Sequence, residues 1–208
     1  MNEKSLVDAV APSPPADPFN SGYWNDADLA SAGFGSIGRN VRIAKNCTIV
    51  GMQNIQIGDN VHIDGPTVLS AGGGHIRFGR NIHVGGMCFI AGAGGVDLED
   101  FSGLSQGVRI YAASDDYSGH ALTNPTVPRE FLNVEMAPVR LGRHVIVGSG
   151  SVILPGCNIG EGSSVGATSL VTKSLAPWGI YAGAPARFLK KRSQQLLAME
   201  AQLIQLRE

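Results

Sequence analysis

The chain has 208 residues, a formal net charge of −1 and only 16% charged side chains, so it lacks the basic surface that nucleic-acid binding requires. Its 28 glycines suit a fold with many tight turns. No apolar run has membrane-spanning length, and no N-terminal segment is of signal-peptide type. We therefore expect a cytoplasmic protein with one folded domain, no nucleic-acid partner and no membrane span.

Residues 1–34 are predicted to form an N-terminal tail and a lead-in to the domain. The first twenty residues are rich in proline, alanine and serine, which favours poor order. Residues 22–33 indicate a short helical stretch. Within it, Tyr23 and Trp24 are expected to cover an open end of the domain rather than to bind a ligand.

Aliphatic residues then recur at every sixth position, most clearly at Leu141, Val147, Ile153, Ile159, Val165 and Val171. A strand has a period of two and a helix a period of about 3.6, so neither element alone explains this spacing. Short strands joined by tight turns do explain it, because each hexad then supplies one inward aliphatic side chain to a stacked core. The sequence predicts an all-β solenoid, a parallel β-helix, over residues 35–184.

Residues 114–138 interrupt the hexads. This segment has no six-residue spacing and contains three prolines, so we expect a loop that is extruded from the solenoid. Long ordered loops in compact domains are commonly functional.

Residues 185–208 are predicted to form a C-terminal α-helix. Leu189, Leu196 and Leu203 are seven residues apart, which gives a narrow apolar stripe of heptad type. Such a helix either lies on the β-helix as a cap or associates with its own copies, and Arg192 within the stripe argues against a coiled coil. The three cysteines, Cys47, Cys88 and Cys157, lack metal-ligand spacing and are expected to be reduced thiols in the coils.

The motifs ILPG, IGEG, GATSLVTK and YAGAPAR lie near the end of the hexad run. Together they resemble the hexapeptide-repeat acyltransferases, and the resemblance covers residues 35–192. Within that family the chain looks most similar to bacterial sugar and polysaccharide O-acetyltransferases. The resemblance implies a left-handed β-helix, acetyl-CoA as the donor, and a homotrimer with active sites between neighbouring subunits.

The resemblance also implies where the coenzyme binds. In related enzymes the pantetheine arm lies along the groove between two β-helices, and a basic residue lies near the nucleotide phosphates. Matching the motifs to this sequence gives the cofactor-binding candidates Ser149, Ala167, Thr172, Lys173, Arg187 and Lys190. Ser149 and Ala167 are three hexads apart, so they are expected to stack in adjacent coils.

Acyl transfer to a hydroxyl needs a base, for which a neutral histidine is well suited. His120 is the histidine of the inserted loop, and Asp115 and Asp116 precede it closely enough to orient its imidazole. In an ungapped alignment with the sugar acetyltransferases, however, the family histidine falls on Asp115. His83, about two coils earlier, is a third candidate for the base. His62 and His75 are expected to be polar, outward side chains at turns, and His144 is expected to be exposed.

The predicted reaction is transfer of an acetyl group from acetyl-CoA to a hydroxyl of a sugar or surface glycan. Tyr117, Asn124 and Arg129 of the loop are candidates for binding the acceptor. The alternative is a nucleotide-sugar N-acetyltransferase, which shares the fold, donor and trimer. A zinc hydratase of the γ-carbonic anhydrase type needs three converging histidines, and no HxxxxH pair occurs, so no metal is expected. A non-catalytic solenoid would not need the loop or the basic residue in APAR.

Overall fold

The structure is a computed structural model that describes Asp17 and residues 19–206. Nearly all of the segment predicted to be poorly ordered lies outside these residues. The lead-in contains helix α1 (Asp26–Ser31), which begins where the side chain of Asn25 accepts a hydrogen bond from the backbone N–H of Asp28. Trp24 and Leu29 lie with Ile43 at the open end of the first coil, as the sequence predicts for Trp24.

Four coils follow the lead-in, and each of them has three short strands. In chain order the strands are β1 (Ser36–Ile37), β2 (Arg42–Ile43), β3 (Thr48–Val50), β4 (Ile55–Ile57), β5 (Val61–Ile63), β6 (Val68–Ser70), β7 (Ile76–Phe78), β8 (Ile82–Val84), β9 (Phe89–Ala91), β10 (Val96–Leu98), β11 (Gly103–Leu104) and β12 (Arg109–Tyr111). A one-turn 3₁₀-helix, Met52–Asn54, lies between β3 and β4.

The chain then leaves the solenoid as a loop. Its base is an antiparallel ribbon of β13 (Ala113–Ser114) and β14 (Glu135–Met136), and a second 3₁₀-helix, Arg129–Phe131, lies within it. Two further coils and a last strand complete the solenoid: β15 (Val139–Leu141), β16 (Ile146–Val147), β17 (Val152–Ile153), β18 (Asn158–Ile159), β19 (Ser164–Val165), β20 (Leu170–Val171) and β21 (Gly179–Ala182).

Stacking of the coils produces three parallel sheets. The first sheet has the order β1-β4-β7-β10-β15-β18, the second β2-β5-β8-β11-β16-β19-β21, and the third β3-β6-β9-β12-β17-β20. Because the pairing is in register, like positions of successive coils form columns. The inward column of the second sheet is fully buried in its middle coils, at Ile63, Val84 and Leu104. The predicted all-β solenoid with an extruded loop and a C-terminal helix is confirmed.

The coils approach each other closely at the turn between the second and third sheets, which we call the second corner. A Cβ atom added to Gly148 would lie 2.4 Å from the backbone nitrogen of Ala167, in the next coil. Only glycine fits at that distance, which explains the glycine after the aliphatic residue of this hexad.

The C-terminal segment corrects the predicted helix over 185–208. Residues Arg187–Lys191 form strand β22, which pairs antiparallel with β21, and helix α2 begins only at Leu196 and ends at Gln205. The strand forms because β21 ends the second sheet and presents an unpaired edge to it. Neither helix in the described part of the chain has the length and apolarity needed to cross a bilayer.

Helix α2 lies against the solenoid, as in the capping interpretation. Arg192 donates hydrogen bonds to the carbonyl oxygens of His144 and Gly162, at 2.8 and 3.0 Å. The carboxylate of Glu200 pairs with Arg143 and, at 2.8 Å, with Nε2 of His144. His144 is therefore buried, with 8% of its surface exposed, which corrects the expectation of an exposed side chain.

All three cysteines are free thiols. Cys88 and Cys157 are buried and Cys47 is half-buried, and burial raises the pKa of each thiol above its usual value. They have the protonated, unreactive character of core cysteines.

Candidate active site

The outer face of the second sheet presents one side chain from each coil in a single column. From the first coil to the last, the column consists of Arg42, His62, His83, Gly103, Ile146, Ser164 and Ile180. Gly103 has no side chain and is paired directly with His83, so the column has an opening above the His83 imidazole. A groove occupies this position.

Polar and apolar walls enclose that groove. His83, Gly103, Ser105 and Gln106 line it on the side of the second corner, and Ser105 and Gln106 follow β11 directly. His144, Ile146, Arg192 and Leu196 also line the groove. Helix α2 therefore forms part of the wall of the groove.

A carboxylate network lies one and two coils below the groove. Asp64 follows β5, and its Oδ2 lies 2.9 Å from Nε2 of His83. The hydroxyl of Tyr23, in the lead-in, donates a hydrogen bond of 3.0 Å to Oδ1 of Asp64. His62 Nε2 is also 3.0 Å from Oδ1, but the angle is not that of a hydrogen bond, so this contact is a close approach without a hydrogen bond.

The environment fixes the protonation states of this network. Burial acts to raise the pKa of Asp64, but hydrogen bonds from His83 and Tyr23 outweigh it and hold the pKa below its usual value. Burial lowers the pKa of His62, and burial together with the bond to Asp64 raises the pKa of Tyr23. At neutral pH the carboxylate is therefore ionised, His62 is neutral and Tyr23 keeps its proton.

The tautomer of His83 follows from this charge state. An ionised carboxylate only accepts hydrogen bonds, so Nε2 of His83 carries the proton that Asp64 accepts. The lone pair of the neutral ring is then on Nδ1. The side chain of His83 is 56% exposed and lines the groove.

The same residues have metal-ligand chemistry. The ligand atoms of His62, Asp64 and His83 all lie within 4.8 Å of one another. Hydrogen bonds from His83 and Tyr23 already satisfy the carboxylate, however, so the arrangement needs no ion to hold it together. Three histidines converging on one point, as a hydratase of the γ-carbonic anhydrase type requires, do not occur within residues 19–206.

The loop candidates lie in a different place. His120 is exposed, and its Nδ1 is 2.6 Å from Oγ of Ser118, which donates its own proton to Oδ1 of Asp116. Asp116 therefore orients His120 through Ser118, and the hydrogen bonds from Ser118 lower the pKa of Asp116. Within one chain, His120, Asp115 and Asp116 do not line the groove that contains His83.

The other loop candidates differ in whether their side chains make hydrogen bonds within the loop. Tyr117 is 94% exposed, and Arg129 is exposed at the start of its 3₁₀-helix. The side-chain oxygen of Asn124 accepts hydrogen bonds from the backbone N–H and the hydroxyl of Thr126. Asn124 thus shapes a turn of the loop.

The coenzyme candidates lie in three places: at the second corner, in the turn after β20, and on β22. Ser149 and Ala167 stack at the second corner, where the N–H of Thr168 donates to the Ser149 carbonyl at 2.8 Å. Gln106 continues this column one coil lower, because the N–H of Gly150 donates to its carbonyl at 2.9 Å.

The remaining coenzyme candidates lie beyond β20. Thr172 and Lys173 are exposed at the opposite end of that strand from Ala167, so a single chain does not bring them to the second corner. Arg187 and Lys190 are exposed on β22, and Arg187 pairs with Ala182 next to the top of the corner.

Several residues of the groove and of the Asp64 network are not predicted from the sequence. Asp64, Ser105 and Gln106 each follow a strand of the second sheet, and the coil length of about twenty residues would have aligned them. The sequence predicts that Tyr23 covers the open end of the solenoid, whereas its hydroxyl contacts Asp64. That contact joins residues 41 apart, and no spacing in the sequence indicates it.

A run of hexapeptide repeats is the sequence signature of a parallel β-helix, which is the fold that the structure shows. Comparison with known proteins agrees: the bacterial transferase hexapeptide family (six repeats) matches residues 138–173. The dTDP-4-amino-4,6-dideoxy-D-glucose acyltransferase of Escherichia coli is 38% identical over 179 residues, which are 86% of this chain and 93% of that protein. The chain therefore belongs to the hexapeptide-repeat acyltransferases, whose fold is the left-handed β-helix.

Solved structures give the same result. AntD, an N-acyltransferase from Bacillus cereus in complex with dTDP and 3-hydroxybutyryl-CoA, has a TM-score of 0.86 and 38% identity, covering 89% of this chain and 97% of AntD. A shorter match is to WbbJ of Escherichia coli K12, a putative lipopolysaccharide biosynthesis O-acetyl transferase. WbbJ is 34% identical over 74 residues, which are 36% of this chain and 38% of WbbJ.

Proposed function

We propose that this protein is a nucleotide-sugar N-acyltransferase, which moves an acyl group from acyl-CoA to the amino group of a dTDP-linked amino sugar. The observation that carries this proposal is the extent of the likeness to the two amino-sugar enzymes, which covers 86% and 89% of the chain. The O-acetyl transferase WbbJ matches only 36% of it. N-acylation thus replaces acetylation of a sugar hydroxyl as the main expectation.

Residue spacing supports the same acceptor. The AntD structures include variants at one serine and at one aspartate, ten positions apart. In this chain Ser105 and Asp115 are the one serine and aspartate with that order and spacing. Ser105 lines the groove and Asp115 is exposed in the loop, so we assign both to the acceptor site.

The second corner supplies a path for the coenzyme. About twelve bonds separate the phosphate oxygen of coenzyme A from its sulfur, so the extended arm spans roughly 14 Å at about 1.2 Å per bond. Adjacent coils are about 4.8 Å apart, so the arm spans about three coils. A phosphate held by Arg187, beside the last coil, would place the sulfur three coils lower, at the level of Gln106 and Ser105.

One chain does not complete this site. Ser105 lies before β12 at the second corner and Asp115 lies beyond the other end of that strand, so one side of the solenoid separates the two residues within a chain. The loop of a neighbouring subunit would bring an aspartate to the groove instead. This arrangement agrees with the homotrimer that the family resemblance implies.

The reaction needs a group that accepts a proton and a group that donates a hydrogen bond to the oxyanion of the tetrahedral intermediate. The acceptor amine attacks the thioester carbonyl, a C–N bond forms, and the C–S bond breaks to release coenzyme A. The nitrogen loses a proton in this process, and the thiolate that leaves takes one up. Because both substrates bind together, no acyl-enzyme intermediate is required.

An acceptor comparison tests the proposal. The purified protein is mixed with acetyl-CoA or 3-hydroxybutyryl-CoA and with dTDP-4-amino-4,6-dideoxyglucose, and free coenzyme A and the acylated product are measured by thiol assay and mass spectrometry. The matched control is the dTDP-sugar with a hydroxyl in place of the amine. We expect turnover with the amine alone. Turnover with the hydroxyl alone would favour O-acylation.

The cytoplasmic location expected from the sequence stays a prediction.

A further inference from the structure

The Asp64 network lies beside the position where the acceptor would react, and neither the relatives' names nor the family motifs account for it. His83 is paired in register with Gly103, the residue without a side chain at the base of the groove. Ser105, at the proposed acceptor site, follows two residues after Gly103. The imidazole of His83 is therefore the titratable group of the second sheet that lies next to the opening.

Three side chains surround that imidazole and hold it in one orientation. Asp64, after β5, accepts the Nε2–H of His83 at 2.9 Å. Tyr23, in the lead-in before α1, bonds the other oxygen of the same carboxylate. The His62 ring lies between them, with ring centres 5.0 Å from Tyr23 and 5.4 Å from His83.

We propose that His83 is the base that takes the proton from the attacking amine, and that Asp64 and Tyr23 position it; this rests on the proposed function. The lone pair on Nδ1 of His83 accepts the N–H proton as the C–N bond forms. Asp64 stabilises the resulting imidazolium without taking its proton. The imidazolium then returns the proton to the thiolate of coenzyme A, so His83 ends neutral.

The surrounding charges are compatible with this role. On the solenoid side the groups near His83 are Asp64, His62, Tyr23 and Arg42, whose guanidinium lies 4.2 Å from the centre of the Tyr23 ring. His144 and Arg192 also line the groove. Asp64 is the one carboxylate among these groups, so it supplies the negative charge that a protonated His83 needs.

Steady-state kinetics of the full chain test the assignment. We expect His83→Gln to lower kcat by about 10²–10⁴-fold, the usual contribution of a general base, while the Kd for acyl-CoA changes by less than about twofold. His83→Ala should regain part of its kcat when imidazole is added. The matched control is His75→Gln, because His75 is also paired with a carboxylate, Asp97 at 3.3 Å, but is not one of the groove residues.

The positioning residues have a signature that a purely structural role would not give. Asp64→Asn should move the acidic limb of the kcat–pH profile to lower pH, because the lost carboxylate no longer stabilises the imidazolium. Tyr23→Phe should move the limb to higher pH, because the phenol no longer shares the charge of Asp64. Limbs that stay in place in both variants would overturn the role of Asp64 and Tyr23.

The result that would overturn the role of His83 is a His83→Gln variant with the kcat of the wild type. If His120→Ala is inactive in the same assay, the base is in the loop. Stoichiometric zinc in the purified protein, with activity lost to a chelator, would make His83 a metal ligand instead. Wild-type protein that acylates only a hydroxyl would sink the proposed function, and the same variants would then test His83 with that acceptor.

Discussion

Arg187 is the residue whose charge we expect to matter most for the donor. It is exposed on β22, beside the top coil of the second corner, where a phosphate of coenzyme A would lie. Arg187→Ala should weaken acetyl-CoA binding by about 1–2 kcal/mol, roughly tenfold in Kd, because a charge-assisted hydrogen bond is lost. Isothermal titration calorimetry of acetyl-CoA measures the change.

A second arginine controls for a general effect of lost charge. Arg39, in the first coil, is also exposed and is paired with Asp59 at 3.0 Å. Arg39→Ala should leave the Kd for acetyl-CoA unchanged. An Arg187→Ala protein that binds acetyl-CoA as tightly as the wild type would remove Arg187 from the donor site.

The contacts of single residues explain why the sequence favours His120 over His83 as the candidate base. His120 has two aspartates nearby in sequence, and the structure does connect it to Asp116 through Ser118. The Asp64–His83 pair spans a whole coil, so its partners are 19 residues apart and its contact depends on stacking. Local spacing finds contacts within a turn, whereas contacts between coils need the exact length of each coil.

At the scale of elements, β11 decides the shape of the groove. Gly103 is in extended backbone, and a Cβ added there would meet no atom closer than the His83 carbonyl oxygen, at 3.6 Å. The solenoid should therefore tolerate a side chain at this position. Gly103→Val should fill the opening, raise KM for the acceptor by at least about tenfold through steric exclusion, and leave the Kd for acyl-CoA unchanged.

Thermal unfolding accompanies that measurement, because a fold defect would also lower activity. Gly103→Ala is the graded control, since it adds a single methyl group. A Gly103→Val protein with wild-type Tm and wild-type KM would show that the acceptor binds elsewhere.

Helix α2 is a second element with a specific attachment. The carboxylate of Glu200 has 10% of its side-chain surface exposed and pairs with Arg143 and His144. Glu200→Gln should weaken this attachment by about 1–3 kcal/mol, because a mostly buried ion pair loses its charge. Hydrogen exchange over residues 196–206 should then become roughly tenfold faster or more, while the coils keep their protection.

The matched variant for that experiment is Gln202→Ala, on the exposed side of the same helix. It should leave the exchange rates of α2 unchanged. Equal protection in the Glu200→Gln and wild-type proteins would show that the charge of Glu200 does not hold the helix.

The elements differ in how much of them the sequence could predict. The coils follow from the six-residue spacing, because each aliphatic residue has its equivalent in the next coil of the same sheet. Strand β22 does not follow, because its hydrogen bonds go to the edge of β21 and no periodicity within 187–191 records them. The seven-residue spacing of the leucines predicts a single helix, but Leu189 is in the strand, whereas Leu196 and Leu203 are in the helix.

For the whole molecule, the distribution of the site over two corners argues for a shared active site. Ser105 and Gln106 belong to the second corner, whereas the loop with Asp115 leaves the solenoid after the third sheet. A base such as His83 and an acceptor contact such as Asp115 would then come from different subunits. We expect light scattering to give the mass of a trimer.

Mixed assemblies test the shared site directly. A Ser105→Ala chain and an Asp115→Asn chain, each of low activity alone, are unfolded, mixed and refolded together. In a cyclic trimer with random mixing, about one interface in four pairs an intact Ser105 with an intact Asp115, so about a quarter of the wild-type activity should return. If both residues acted from one chain, every site would keep one lesion and no activity would return. Refolding each variant alone controls for recovery by refolding itself, and a mixture no more active than these controls would place the whole site within a single subunit.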